Sequence, residues 1–366
     1  ADAGLTADVV RGADVLAALP VLTKDERLAR QLSDPPCGGM LAADAPVRRV
    51  FQSPGPLYEP QLDGPDPWRW REALTALGVT ADDLLLNCFS HHLSPAGAMF
   101  DEAGVAIGCR VLPGGIGSQD LQARAVADLG VTAYAGLPSY LKSIIERYHA
   151  AGLDPARWRL GKALVTAEPL PDGLRAELER QVPSVRMAYG TAEAGLLGYE
   201  REPGAGLLVP DDVLVQVCDL DSGRPLAEGE GQVVVTLYRP SYPLVRFGTG
   251  DLSAWVDGPD GTRRLAGVLG RIGAAVKVRG MFLHPRQLDL AMRDLDAVTA
   301  YRFVVDREDH RDELRCQIVP SAHADAGEVA VAVAEKVRSS LRFATAVEIV
   351  TTLEDDHALV DLRTWD

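Results

Sequence analysis

The chain has 366 residues, enough for two domains and a large core. Its 47% apolar and 24% charged residues are those of an ordinary soluble globular protein. A net charge of −15 argues against nucleic acid or an anionic membrane as partner, since both need clustered Lys and Arg. Only five lysines are present: Lys24, Lys142, Lys162, Lys277 and Lys336. Cys37, Cys88, Cys109, Cys218 and Cys316 are scattered, with no CxxC and no pair at metal spacing, which reads as reduced thiols in a cytoplasm. No run approaches the roughly 18 apolar residues of a membrane span, and no signal-peptide pattern opens the chain.

In chain order, Thr23 reads as the N-cap of a helix, with Glu26 completing a capping box. A short strand over 47–51 leads into Gln52-Ser53-Pro54-Gly55-Pro56-Leu57-Tyr58-Glu59-Pro60. An amphipathic helix over 68–77 follows, with Trp70, Leu74 and Leu77 on one face. The apolar strand 82–89 then runs into Ser90-His91-His92. Adjacent histidines on extended chain point in opposite directions, so they are a poor chelating pair. Next come a strand over 105–112, the glycine turn Gly114-Gly115-Ile116-Gly117, and a helix over 119–129 with Leu121, Val126 and Leu129 on its apolar side. The glycine turn does not fit the dinucleotide-binding fingerprint. Strands at 131–135, 159–166 and 185–188 alternate with helices opening at Leu137-Pro138 and Asp172. That alternation predicts an α/β fold with a mainly parallel, covered sheet. Residues 207–256 read as antiparallel strands. After 271 the order strand, strand, helix, strand predicts a small α+β domain.

Tyr189-Gly190-Thr191-Ala192-Glu193 supplies an aromatic face, a glycine turn, a hydroxyl and a carboxylate. Those parts can stack a purine, let backbone approach phosphate and hold Mg²⁺. The carboxylate is equally at home at a helix start. Thr166-Ala167-Glu168-Pro169 precedes it. Arg246-Phe247-Gly248-Thr249-Gly250-Asp251-Leu252, Gly270-Arg271 and Val276-Lys277-Val278-Arg279-Gly280 follow. This ordered set resembles the adenylate-forming ligase superfamily, most closely the phenylacetate–CoA ligase family, over nearly the whole chain after residue 15.

The resemblance implies a large adenylate-forming domain over 1–270, mainly parallel sheets flanked by helices plus a small β subdomain. It implies a small mobile α+β lid domain over 271–366. It also implies ATP/AMP, Mg²⁺ and CoA (or a phosphopantetheine carrier protein) as cofactors, and a small or aryl carboxylic acid as substrate. Ala167 and Glu168 would abut adenine and Tyr189 would stack on it, beside Gly190 and Thr191. Glu193 would hold Mg²⁺, Asp251 would accept both ribose hydroxyls, and Arg246 would lie close to the phosphates. Glu193, Arg271 and Lys277 would form the catalytic group, and His91, His92 and Tyr134 the acid pocket.

Two stretches depart from the family pattern. In the phosphate-loop position three prolines remove N–H donors and Glu59 stands where a cation would help. At the C-terminus no lysine follows Lys336, leaving His357 or Arg363 as substitute cations. The alternative is therefore a relative that does not adenylate and serves as an acyl transferase, a cyclising enzyme or a ligand-binding partner.

Overall fold

Along residues 84–87 alternate side chains enter two different cores. Leu84 and Leu86 join Tyr134, Ala163 and Val165, while Leu85 joins Ala133, Ala135 and Leu164. A strand sends successive side chains to opposite faces, so an unbroken apolar run requires a sheet covered on both sides. That sheet organises the first of two compact units, 1–272 and 273–366. The structure, a computed structural model, describes residues 13–17, 19–53, 57–272, 276–279, 281–283, 285–309, 311–353 and 358–363.

The first unit opens with α1 (Ala13–Leu16), α2 (Lys24–Ser33) and the antiparallel pair β1 (Val47–Gln52) and β2 (Tyr58–Leu62). The expected capping box is present: Thr23 accepts from the Glu26 amide, and the Glu26 carboxylate accepts from the Thr23 amide at 2.8 Å. Then come α3 (Trp70–Ala76), β3 (Leu84–Asn87), α4 (Ala96–Ile107), β4 (Arg110–Pro113), α5 (Gln119–Leu129), β5 (Ala133–Gly136), α6 (Pro138–Ala150), β6 (Lys162–Val165), α7 (Asp172–Glu179), β7 (Ser184–Thr191) and β8 (Gly195–Tyr199). The sheet order is β4-β3-β5-β6-β7-β8, parallel except for β8.

Three local expectations are corrected. Residues 105–107 end helix α4 rather than begin a strand. Gly108, at φ 88°, closes that helix in the left-handed conformation and turns the chain into β4. Helix α4 packs through small residues, and a Cβ on Gly104 would meet Val111 at 2.6 Å. On α5 the buried face is Gln122, Ala123, Val126 and Ala127, while Leu121 and Leu129 are exposed. After Glu193 no helix starts; the chain turns back at once into antiparallel β8.

That turn explains its glycines. A Cβ on Gly190 would meet the Gly195 carbonyl at 2.5 Å and the Trp70 ring at 2.7 Å, and Gly195 sits at φ 75° against the Trp68 backbone. The hairpin itself requires them.

A second, antiparallel sheet has β9 (Val213–Cys218), β10 (Glu230–Leu237), β11 (Leu244–Asp257) and β12 (Arg263–Leu265) in the order β12-β11-β10-β9, with β13 (Gly270–Arg271) beside β11.

The second unit contains the hairpin β14 (Val276–Val278) and β15 (Met281–Leu283), then α8 (Pro285–Met292), β16 (Val298–Glu308), β17 (Arg311–Pro320), α9 (Ala326–Leu341), β18 (Ala346–Ile349) and β19 (Leu359–Asp361). Its four-stranded sheet runs β18-β17-β16-β19. Buried Asp312 accepts from Arg307 at 2.7 Å, Arg363 at 2.9 Å and the Arg279 amide at 3.1 Å. Arg363 is thus bound by Asp312 and Asp361 within this unit and is not the spare cation expected of it. His357 lies outside the described residues.

Candidate nucleotide site

Strands β11 and β13 set Asp251 opposite Arg271 in antiparallel register, a cross-strand position that lets their side chains meet. Arg271 Nε donates to Asp251 Oδ1 at 2.6 Å, and the Tyr189 hydroxyl donates to Asp251 Oδ2 at 2.8 Å. Thr249 completes the group, 3.1 Å from the Tyr189 oxygen. Burial, followed by the Asp251 charge, pushes the Tyr189 phenol well above its usual value, so it remains a donor. An ionised carboxylate offers about four acceptor positions. Two are taken here, leaving two for a cis-diol.

Tyr189 does not present a stacking face. Its ring is buried in the core formed with Ala194, Leu197, Val233 and Phe247, which packs the β7–β8 hairpin of the first sheet with strands of the second. Its role in this site is to orient Asp251. Thr191 Oγ1 accepts from the Ala194 amide and so tightens the turn carrying Glu193.

The second part of the site was not foreseen. Helix α2 buries Arg27 and Gln31, polar residues four apart on one face. Gln31 brackets Tyr58 with two 2.9 Å backbone hydrogen bonds, fixing β2 so that the next residue, Glu59, meets Arg27. Arg27 and Glu59 pair through the two terminal guanidinium nitrogens, Nη1 and Nη2, at 2.7 Å, and Arg27 also donates to Tyr242 at 2.6 Å. Arg27 is fully buried, with its guanidinium 5.7 Å from the Phe247 ring centre. Burial pushes the Glu59 carboxyl above its usual value against the opposing pull of the Arg27 charge; both its oxygens accept from Arg27 at 2.7 Å, the bidentate geometry of an arginine–carboxylate pair. One turn earlier on α2, Lys24 Nζ lies 3.3 Å from Glu193 Oε1.

Burial alone would raise the Glu193 carboxyl. The charges of Lys24 and then Arg27, with hydrogen bonds from its own amide and Thr191, outweigh burial and hold it at about 2. A carboxyl depressed below its ordinary 4.5 binds its proton more readily in the unfolded chain. Its contribution to stability is therefore complete above about pH 4.5 and lost as pH falls towards about 2, on the order of 3 kcal/mol in all. Acid unfolding followed by circular dichroism should be shallower for Glu193→Gln across that window; superimposable curves would contradict the pairing.

Glu193, the carboxylate expected to hold Mg²⁺, pairs with the Lys24 ammonium in this structure, and no group of three His, Cys, Asp or Glu able to hold a metal occurs among the described residues. At a nucleotide site Mg²⁺ is usually held by one or two carboxylates together with substrate phosphates.

The other expected residues are distributed as follows. Ala167 sits in the left-handed region at φ 74°, and Glu168 accepts from the Ser139 hydroxyl at 2.6 Å at the first turn of α6. Arg246 turns away: its guanidinium donates to Gln216 at 3.1 Å and to the Gly223 carbonyl, and it is almost wholly buried. It cannot reach a phosphate. Tyr134 is fully buried between Ala133 and Ala135, on the face opposite theirs, with its hydroxyl on the Leu137 carbonyl. It lines no pocket. His92 is exposed. His91 Nε2 is 3.0 Å from Asp101 Oδ2, and Asp101 Oδ1 accepts from Asn87 at 2.8 Å. Asn87 ends β3, His91 follows it and Asp101 reaches them from α4, at the end of the sheet where connections leave β3 and β5 towards opposite sides, the usual crevice of such sheets. Lys277 lies on β14 in the second unit, and its side chain is outside the described residues.

No family model matches the chain. A phenylacetate-coenzyme A ligase of Thermus thermophilus is 27% identical over 266 residues, covering 67% of this chain and 58% of that protein. Another from Aromatoleum evansii is 25% identical over 298 residues, covering 77% and 68%. The match therefore spans little more than half the length of the first of these relatives. Among solved structures, 2-hydroxyisobutyryl-CoA ligase, in complex with 2-HIB-AMP and CoA, superposes with a TM-score of 0.87 at 22% identity, covering 99% of this chain and 84% of that one. The amide bond synthetase McbA from Marinactinospora thermotolerans superposes at 0.63 and 18%, covering 83% and 65%. The fold is that of the adenylate-forming enzymes. In sequence the chain is similar to phenylacetate-coenzyme A ligases. No helix among the described residues is long and apolar enough to cross a membrane.

Proposed function

We propose that the first unit binds the adenosine moiety of ATP and AMP, and that the protein activates a small carboxylic acid as its acyl-adenylate for transfer to the thiol of CoA. Carboxylate and ATP give acyl-adenylate and pyrophosphate; the thiol then displaces AMP and yields the thioester. The observation that carries this reading is Asp251, held by Arg271 and Tyr189 with two acceptor positions left for ribose. The likeness to ligases in complex with an acyl-AMP and CoA supports it. Glu168 and Ala167 would border the base, and His91, oriented by Asp101, would border the acid. A carrier-protein thiol in place of CoA is compatible with the 26% identity to a plipastatin synthase of Bacillus subtilis over 234 residues, which is 9% of that protein.

The second reading, a relative that binds nucleotide or thioester without adenylating, draws on one observation. The position of the phosphate-loop cation is filled by Glu59, itself neutralised by Arg27. Calorimetric titration with AMP, ATP and CoA separately, and pyrophosphate exchange over a panel of acids, distinguishes the two. Nucleotide binding with exchange supports the ligase; nucleotide binding with no exchange from any acid supports the second reading; CoA binding alone overturns the nucleotide site.

A further inference from the structure

Asn87 ends β3 fully buried, and both hydrogens of its amide are used. Nδ2 donates to the Gly97 carbonyl at 2.7 Å and to Asp101 Oδ1 at 2.8 Å, while its own oxygen accepts from the Phe89 amide at 3.1 Å. It thereby ties the loop 88–97 to α4 and fixes the Asp101 carboxylate. Asp101 Oδ2 in turn lies 3.0 Å from His91 Nε2. The His91 ring is held on its face as well, since a Cβ on Gly97 would meet three of its atoms at 2.7–2.8 Å. An ionised carboxylate only accepts, so Nε2 carries the hydrogen of this bond and a neutral His91 presents Nδ1 as a lone-pair acceptor. Nδ1 has no hydrogen-bond partner among the described residues, and the side chain is 32% exposed. A row of aromatic rings joins this loop to the β7–β8 hairpin. Phe89 stacks on Phe100 at 4.6 Å, Phe100 meets Trp70 at 4.4 Å, and the Trp70 ring abuts Gly190.

We propose that His91 is a specificity-determining residue that accepts, at Nδ1, the hydroxyl of a hydroxylated carboxylic acid, with Asp101 and Asn87 as the residues that position it. The inference deepens the ligase reading above and rests on its acid pocket. A hydroxyl carries one hydrogen and a lone imidazole nitrogen accepts one, so the two match. An ammonium would bring three donors to a single neutral acceptor beside an aromatic row, an ion left with donors unmet. An acid without the hydroxyl leaves Nδ1 unpartnered once the acid has displaced its water, and is disfavoured for that reason.

Calorimetry in the presence of AMP, and pyrophosphate exchange, test this on the full chain by comparing benzoate with its hydroxy isomers, and propionate with lactate, 3-hydroxypropionate and alanine. One hydroxy acid should exceed its parent by about tenfold, the worth of one hydrogen bond closed off from water. His91→Phe should level that pair, and His91→Asn, whose amide oxygen can occupy the Nδ1 position, should keep part of the difference. Nitrogen-15 NMR of histidine-labelled protein reads the tautomer, with the His91 signals identified by their loss in His91→Phe. In Asp101→Asn the new amide gives its oxygen to Asn87 and its NH₂ to His91, which moves the imidazole hydrogen to Nδ1. The preference should vanish with that move, while circular dichroism shows the fold kept. Equal use of parent and hydroxy acids by the unmodified protein, a preference for alanine, or a preference that survives His91→Phe would overturn the proposal. Exchange with none of the acids would sink the ligase reading. A hydroxy acid that still shifts the His91 Nδ1 signal, where its parent does not, would then leave this inference standing, and the lack of any such shift would overturn it.

Discussion

Glu59→Ala is expected to lower stability by about 3–5 kcal/mol, read as a fall in the urea midpoint at unchanged slope. The substitution leaves Arg27 charged and fully buried, with only Tyr242 and the more distant Glu193 to answer it. The asymmetry matters here. Removing one partner strands a charge, whereas removing both strands nothing. Arg27→Met/Glu59→Leu should therefore recover most of the loss, and a Glu59→Ala penalty under about 1 kcal/mol would show that the pair is not dry. The Tyr242 hydroxyl, 2.6 Å from Arg27, couples this pair to a residue 215 positions away, so the effect should be global rather than confined to β2.

Asp251→Asn should weaken AMP binding by about 100-fold, or about 3 kcal/mol, the scale of two charge-assisted hydrogen bonds to a ribose diol. The replacement keeps the shape and removes the charge. It also leaves Arg271 beside a neutral amide, so circular dichroism at the assay temperature should accompany the titration. Tyr189→Phe should have a smaller effect, about tenfold, because it removes an orienting bond and not a ligand bond. Unchanged AMP affinity in Asp251→Asn would contradict the assignment of the ribose position.

What was legible in the sequence was local or periodic. The Thr23–Glu26 capping box spans three residues and is present as read. The alternating parallel strands follow from apolar runs separated by helices, and that core of the fold is as expected. Asp251 and Arg271, twenty residues apart, come together because their motif brackets adjacent strands. The failures have a common cause in sequence distance. Arg27 finds Glu59 32 positions later, and Lys24 meets a glutamate at 193. No periodicity announces such pairs. The available signal was weak: two cations three apart behind a capped helix start, one of them among only five lysines. The burial of Tyr134 has another origin. Its strand alternates between two covered faces, and the sequence does not say which of them lies beside a crevice. Helix α4 was hidden because Val105-Ala106-Ile107 is β-prone, whereas the small residues before it let the helix pack closely.

The five thiols, all buried and unbridged, give each unit its own chemical reporter. Four belong to the first unit and one, Cys316, to the second. Burial pushes the Cys316 thiol up to about 12 and Cys88 higher still, so little thiolate exists to be alkylated while the chain is closed. Labelling at either position then proceeds only as fast as its surroundings open. The modification rate of Cys316 clocks excursions of the smaller unit, and that of Cys88 clocks those of the parallel sheet, in the same sample and without an engineered label site.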